Sequence, residues 1–172
     1  MAGDDYFGLF GLPTRYAIDD AALESAWRTV AAQVHPDRYA TAAPAERRVA
    51  MQWAARANEA YRTLRDPLAR ARYLCEQAGV DLQTESNTAM EPEFLMQQMN
   101  WREALDEARA SGGEQAYAAL QGELGDAARA LRDEVGILLD ERRDAPAAAL
   151  KVREWMFVDK LAQELRRARS PD

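Results

Sequence analysis

Apolar residues recur along this chain at intervals of three and four, the spacing that lays side chains along one face of a helix. Leu23, Trp27, Val30 and Val34 form one such stripe, opened by Asp19 or Asp20 as a cap and closed before Pro36. A second stripe, Ala50, Ala54, Ala57, Tyr61 and Leu64, begins near Pro44, a residue suited to a first helical turn because it has no N–H to satisfy. These two helices are expected to pack antiparallel. Asp66-Pro67 gives a cap and a first-turn proline before Leu68, Ala71, Leu74 or Cys75, and Ala78. A short turn at Tyr6-Phe7-Gly8-Leu9-Phe10 completes a four-helix unit.

The pattern then lapses. Residues 78–88 are polar and without helical period, and Gly79 suits the position just past a helix end. The expected division is therefore a first domain over 1–78, a linker over 79–90 and a second domain over 91–172. The second begins with a helix from Glu91-Pro92 to about Ala110, ahead of Gly112-Gly113. A long helix follows through Tyr117, Leu120, Leu124, Ala127, Leu131, Val135 and Leu138, with Gly122, Gly125 and Gly136 as weak points inside it. Asp144 and Pro146 open the last helix, through Val152, Trp155, Phe157, Val158, Leu161 and Leu165. Three helices with short connections predict an antiparallel bundle.

Composition agrees with an all-α chain. Its 172 residues include 35 Ala and 17 Leu but only 7 Val and 2 Ile, favouring helices and starving strands. The 29 acidic side chains exceed the 22 basic ones for a net charge of -7, which speaks against nucleic acid as a partner. The excess is uneven, with ten basic and ten acidic residues in 1–78 and the whole deficit in 79–172. A single cysteine, Cys75, and a single histidine, His35, can make neither an internal disulfide nor a four-ligand zinc site, so no metal or other cofactor is expected. The acidic start, Met-Ala-Gly-Asp-Asp, and the lack of an 18-residue apolar run point to a cytoplasmic protein without a membrane span.

Between the two long helices of the first domain lies Val34-His35-Pro36-Asp37-Arg38-Tyr39. Pro36 keeps His35 out of the αR region and makes a rigid corner that turns an imidazole and a carboxylate outward. The pair could serve as general acid and base. However, no nucleophile signature, Gly-rich phosphate loop or metal-ligand cluster accompanies it, and an enzyme is not expected.

With its apolar helix before, its Arg-rich helix after, and Ala-Asn-Glu-Ala-Tyr-Arg-Thr-Leu-Arg-Asp-Pro at 57–67, the segment resembles the J-domain, the co-chaperone module that stimulates DnaK-type chaperones. The resemblance implies docking on the chaperone's ATPase domain. Asp37 would pair with an arginine there, Pro36 would fix the corner, His35 would make a polar contact and Arg38 would join the surface. Many J-domains carry a basic face on the helix before this loop. Here Asp19, Asp20 and Glu24 outweigh Arg28, while residues 38–72 hold eight Arg against Glu46, Glu59 and Asp66, so docking charge is expected from the later segment.

On the first helix of the second domain, Phe94, Trp101, Leu105 and Ala108 share one side, and Met96, Met99, Asn100, Glu103 and Glu107 share the other. Methionines beside carboxylates suit a partner surface, since Met adapts to what it touches and acids steer a basic counterpart. Residues 5–13, the His-Pro-Asp loop, Phe94-Leu95-Met96 with residues 101–107, and Phe157-Val158-Asp159-Lys160-Leu161 together resemble the HscB family, the J-type co-chaperones of iron–sulfur cluster biogenesis, over nearly the whole chain.

That resemblance implies a J-domain followed by a C-terminal antiparallel three-helix bundle. The bundle would bind the cluster scaffold IscU and deliver it to the chaperone HscA, whose ATPase the loop stimulates. The implied scaffold-binding positions are Leu95, Met96, Met99, Asn100, Glu103 and Glu107, with Phe157 from the last helix; Asn100 stands where relatives can carry an acid. The alternative is a generic J-domain co-chaperone serving other clients.

Overall fold

In the computed structural model, which describes residues 5–82 and 90–170, every regular element is helical. Helix α1 spans Tyr6–Leu9, and its cap Asp5 accepts from the Gly8 N–H at 2.7 Å. Helix α2 spans Asp20–Gln33, where the Asp19 carboxylate accepts from the N–H groups of Ala21 and Ala22 at 3.0 and 3.3 Å. A single 3₁₀ turn, Pro36–Tyr39, leads to α3 over Pro44–Arg65, with its proline in the first turn. Helix α4 spans Pro67–Gln77, and Asp66 caps it by accepting from the Ala69 N–H at 3.3 Å. All four starts follow from the local cap and proline signals.

Helices α2 and α3 pack together, burying Leu23 against a side of α3 that carries Ala50, Ala57, Ala60 and Leu64. The alanines let the two backbones approach. Trp27 stacks on Tyr61 with ring centroids 4.5 Å apart, and its indole N–H donates to Asn58 at 3.0 Å. Tyr6 stacks on Tyr73, and the Tyr73 hydroxyl accepts from the Tyr6 N–H at 2.9 Å.

The chain divides into two compact units, 1–73 and 74–172, so the division falls inside α4 rather than after Ala78. Cys75 accounts for the shift, because it is fully buried and lies near Arg153 of α7 (Ala145–Arg169) in the second unit. Burial pushes its thiol up to about 11, which leaves it an inert packing residue. Gly79 ends α4 at φ 84, with the Val80 N–H bonded to the Cys75 carbonyl and the Gly79 N–H to that of Glu76, the paired bonds of a glycine-terminated helix. Leu82 is buried, and Arg153 donates to the Asp81 carbonyl at 3.2 Å, so the start of the expected linker is packed on the second unit. Its remainder, 83–89, lies outside the described residues.

Helix α5 spans Pro92–Ser111 and closes at Gly112, whose φ of 62 suits a residue without a side chain. Helix α6 spans Glu114–Gly136 and runs straight on into a π turn, Ile137–Glu141. Leu138, the last residue of the predicted stripe, falls in this π turn and is half-buried, as Ala127 is within α6. Asp144 caps α7 by accepting from the Ala147 N–H at 3.0 Å. Gly122 and Gly125 each cost a helix roughly 1 kcal/mol relative to Ala, yet α6 persists because α7 packs along it.

Ion pairs at the two ends set the directions. Lys151 at the start of α7 meets Glu134 at the end of α6, and Arg169 at the end of α7 meets Glu114 at the start of α6, so these helices are antiparallel. Lys151 also reaches Glu91 before α5, which aligns α5 with α7. The shared core holds Trp101 and Leu105 of α5, Leu120, Leu124 and Val135 of α6, and Val152, Val158, Leu161 and Leu165 of α7.

Candidate functional site

Two sets of exposed side chains stand out, one in each unit. In the first unit His35 has φ -60 and ψ 135, the extended conformation a following proline demands, and it occupies the cap position of the 3₁₀ turn. Its Nδ1 accepts from the Asp37 N–H at 3.2 Å, which requires the lone pair on Nδ1 and leaves Nε2 to carry the ring proton. The Arg38 N–H donates to the His35 carbonyl at 3.0 Å, and the Tyr39 hydroxyl donates to the Gln33 carbonyl at 3.4 Å, closing the loop back onto the end of α2.

This corner is built almost wholly from its own backbone and ring. Its side chains remain available, with His35 58% and Asp37 93% exposed, and Pro36 and Arg38 exposed beside them. All four predicted loop residues thus share one small surface. A carboxylate presented this way has its hydrogen-bonding capacity open to a guanidinium.

The arginines of 38–72 differ in their surroundings, and Arg72 is half-buried. Arg70 is buried, donates to the Leu64 carbonyl at 2.7 Å and lies over the Tyr16 ring at 4.9 Å, so it ties the end of α3 to the first unit's core and drops out of the docking charge. Arg56 and Arg65 lie over Tyr6 and Tyr61 at 5.5 and 5.7 Å. Arg38, Arg47, Arg48 and Arg62 are exposed. On α2, Arg28 pairs with Glu24 at 2.8 Å and Asp19 is used as a cap, so part of that helix's acidity is spent locally.

In the second unit α5 has two distinct sides. Trp101, Leu105 and Ala108 are buried, whereas Met96 and Met99 are 67% and 72% exposed, with Asn100, Glu103 and Glu107 exposed on the same stripe. Met99, Glu103 and Glu107 line an open groove with Gln98, Arg102 and Asp106. Two large thioethers in water among carboxylates leave apolar area unburied by the chain itself.

Leu95 is half-buried, and Phe94, predicted for the core, is half-buried too. Phe94 meets Phe157 edge-on with centroids 6.0 Å apart, which brings this α7 residue to the α5 surface. Arg102 lies 5.5 Å over the Phe157 ring and pairs with Glu164 at 3.2 Å. Arg102 and Glu164 frame the patch but were not among the predicted positions. Their partnership joins residues 62 apart in the chain, and no local pattern marks it.

A family model described as the HSCB C-terminal oligomerisation domain matches residues 90–166. Over 169 residues the chain is 73% identical to the co-chaperone protein HscB homolog of Bordetella petrii, covering 98% of each. The solved structure of the chaperone HscB from Vibrio cholerae matches with a TM-score of 0.82 and 37% identity, over 95% of this chain and 96% of that one. Human co-chaperone protein HscB matches with a TM-score of 0.91 over 98% of this chain and 84% of that one, at 23% identity, a likeness of fold.

Proposed function

Because the chain belongs to the HscB co-chaperone family, we propose that it binds the iron–sulfur scaffold IscU on its second unit and delivers it to the DnaK-type chaperone HscA in the cytoplasm. Docking and ATPase stimulation go through His35, Pro36, Asp37 and Arg38. The curated relatives are named as co-chaperones, and both sites suit binding rather than bond-making. Among the described residues no helix is long and apolar enough to cross a membrane.

The observation that carries the proposal is the His-Pro-Asp corner, locked by its own hydrogen bonds while its carboxylate is 93% exposed. A preformed corner loses little freedom on docking, so more of the Asp37 contact appears as affinity. On α5, Met96 and Met99 supply adaptable contact area, while Glu103 and Glu107 steer a basic partner. Holding client and chaperone on one chain raises the concentration of each at the other.

The test is HscA ATPase stimulation by Asp37→Asn and His35→Gln. Each variant is expected to keep wild-type helix content, because both side chains are more than half exposed and the one His35 ring hydrogen bond lies in the 3₁₀ turn, outside the α-helices. Loss of the Asp37 charge pair is expected to weaken docking by about 2–5 kcal/mol. Full stimulation by a folded Asp37→Asn chain overturns the docking assignment.

A further inference from the structure

Lys151 is one of only two lysines in a chain of twenty arginines, and it occupies an unusual junction. Its ammonium lies 3.6 Å from Glu91 before α5, 3.9 Å from Glu134 on α6 and 3.4 Å from Glu154 on α7. The Lys151 side chain is 19% exposed and that of Glu154 only 6%. A lysine ammonium offers three N–H donors in three directions, whereas an arginine fork matches one carboxylate with two parallel bonds. Only Glu154 is within hydrogen-bond distance, and Glu91 and Glu134 are held by charge, an arrangement that a compact ammonium can face from three elements at once.

Glu91 stands at the cap position of α5, yet its side chain makes no cap hydrogen bond. Its backbone carbonyl does local work, accepting from the N–H groups of Phe94 and Leu95 at 3.0 and 3.1 Å, and Pro92 brings no N–H that needs an acceptor. The carboxylate is thereby free to leave the helix axis for Lys151. Burial alone would lower the Lys151 ammonium, but Glu154, Glu134 and Glu91 together hold it above its ordinary value, so it stays charged.

We propose that Lys151 is a positioning residue for the client-binding face. By joining Glu91 to Glu134 and Glu154, it fixes the first turns of α5 and with them Leu95, Met96 and Met99. The proposal rests on the assignment of that face to the client. Lys151 itself need not touch the partner.

Amide hydrogen exchange on the full chain tests this without any partner present, with melting and scaffold titration run beside it. Glu91→Gln removes only the α5 arm of the junction. Because Glu91 is 67% exposed, the melting temperature is expected to stay unchanged, while exchange over residues 95–100 speeds by about two- to fivefold and scaffold affinity falls by a similar factor. Lys151→Arg keeps the charge but not the three-way geometry, and it is expected to speed the same amides while leaving the middle of α6 protected.

Wild-type exchange over 95–100 in Glu91→Gln overturns the clamp. Wild-type exchange and affinity in Lys151→Arg would show that any cation suffices and overturn the three-way geometry. A wild-type chain that fails to bind IscU sinks the client assignment, whereas the exchange comparison still decides whether Lys151 orders α5.

Discussion

The His-Pro-Asp corner and the α5 face hold their exposed side chains by opposite means. The corner is made by contacts between near neighbours: Asp37 N–H to His35, Arg38 N–H to the His35 carbonyl, Tyr39 to Gln33. The α5 face is one side of a helix whose other side is buried, and it is framed from α7 by Phe157 and Glu164 and from the bundle end by Lys151. A site of the first kind is specified by a few consecutive residues and tolerates change elsewhere. A site of the second kind is only as good as the core behind it.

The hardest test of that contrast is Trp101→Ala, which attacks the α5 face from behind. Trp101 is 5% exposed, and truncating such a residue costs roughly 3–5 kcal/mol. The lower end of that range is expected, because its buried indole N–H has no hydrogen-bond partner among the described residues and its desolvation already weighs on the wild type. Thermal unfolding of the bundle is expected to begin more than about 10 °C earlier, with scaffold binding lost. Scaffold-independent stimulation of HscA is expected to survive. If both activities vanish together, the corner depends on the bundle after all.

The same contrast decides what the sequence reveals. Asp19, Pro44, Asp66 and Asp144 mark helix starts by rules that act within one turn, and each marks a real one. The two faces of α5 are equally legible, since periodicity alone separates Met96 and Met99 from Trp101 and Leu105. Periodicity cannot tell which distant residue arrives. It groups Phe94 with Trp101, which Phe94 does meet edge-on, but it gives no hint of Phe157 on its other side, of Arg102 with Glu164 or of the three carboxylates around Lys151. Arg70 joins the other arginines in a charge count, and only Tyr16 and the Leu64 carbonyl reveal it as a core residue. Gly136 marks the weak point at which the π turn begins, but the wider turn itself leaves no compositional mark.

A milder change approaches the α5 face from the front. Replacing Met96, Met99 and Glu103 together by Ala keeps a strong helix former at each site and removes only exposed atoms. Stability is expected to stay within about 0.5 kcal/mol. Titration calorimetry with IscU is expected to show a loss of about 1–3 kcal/mol, since interface energy concentrates in a few residues and does not add. Stimulation without scaffold is expected to persist. Undiminished scaffold affinity in the folded triple variant places the client on another face.

The smallest expected effect separates the two regions by charge rather than by packing. Asp37 of the corner is 93% exposed, whereas Glu154 of the bundle is buried, and burial raises its carboxyl above the ordinary 4.5 by more than Lys151 restores. The folded chain therefore holds the Glu154 proton at a pH where the unfolded chain has released it. The stability this contributes is fully present below the ordinary value and is lost as pH rises through the raised folded one. Glu154→Gln mimics the protonated group and removes that dependence. Lys151 keeps Glu91 and Glu134 as partners, so the variant leaves no buried charge unpaired. Measured against wild type from about pH 4 to pH 7, the variant is expected to gain relative stability as pH rises. Parallel melting profiles across that range would mean that Lys151 fully compensates the Glu154 charge.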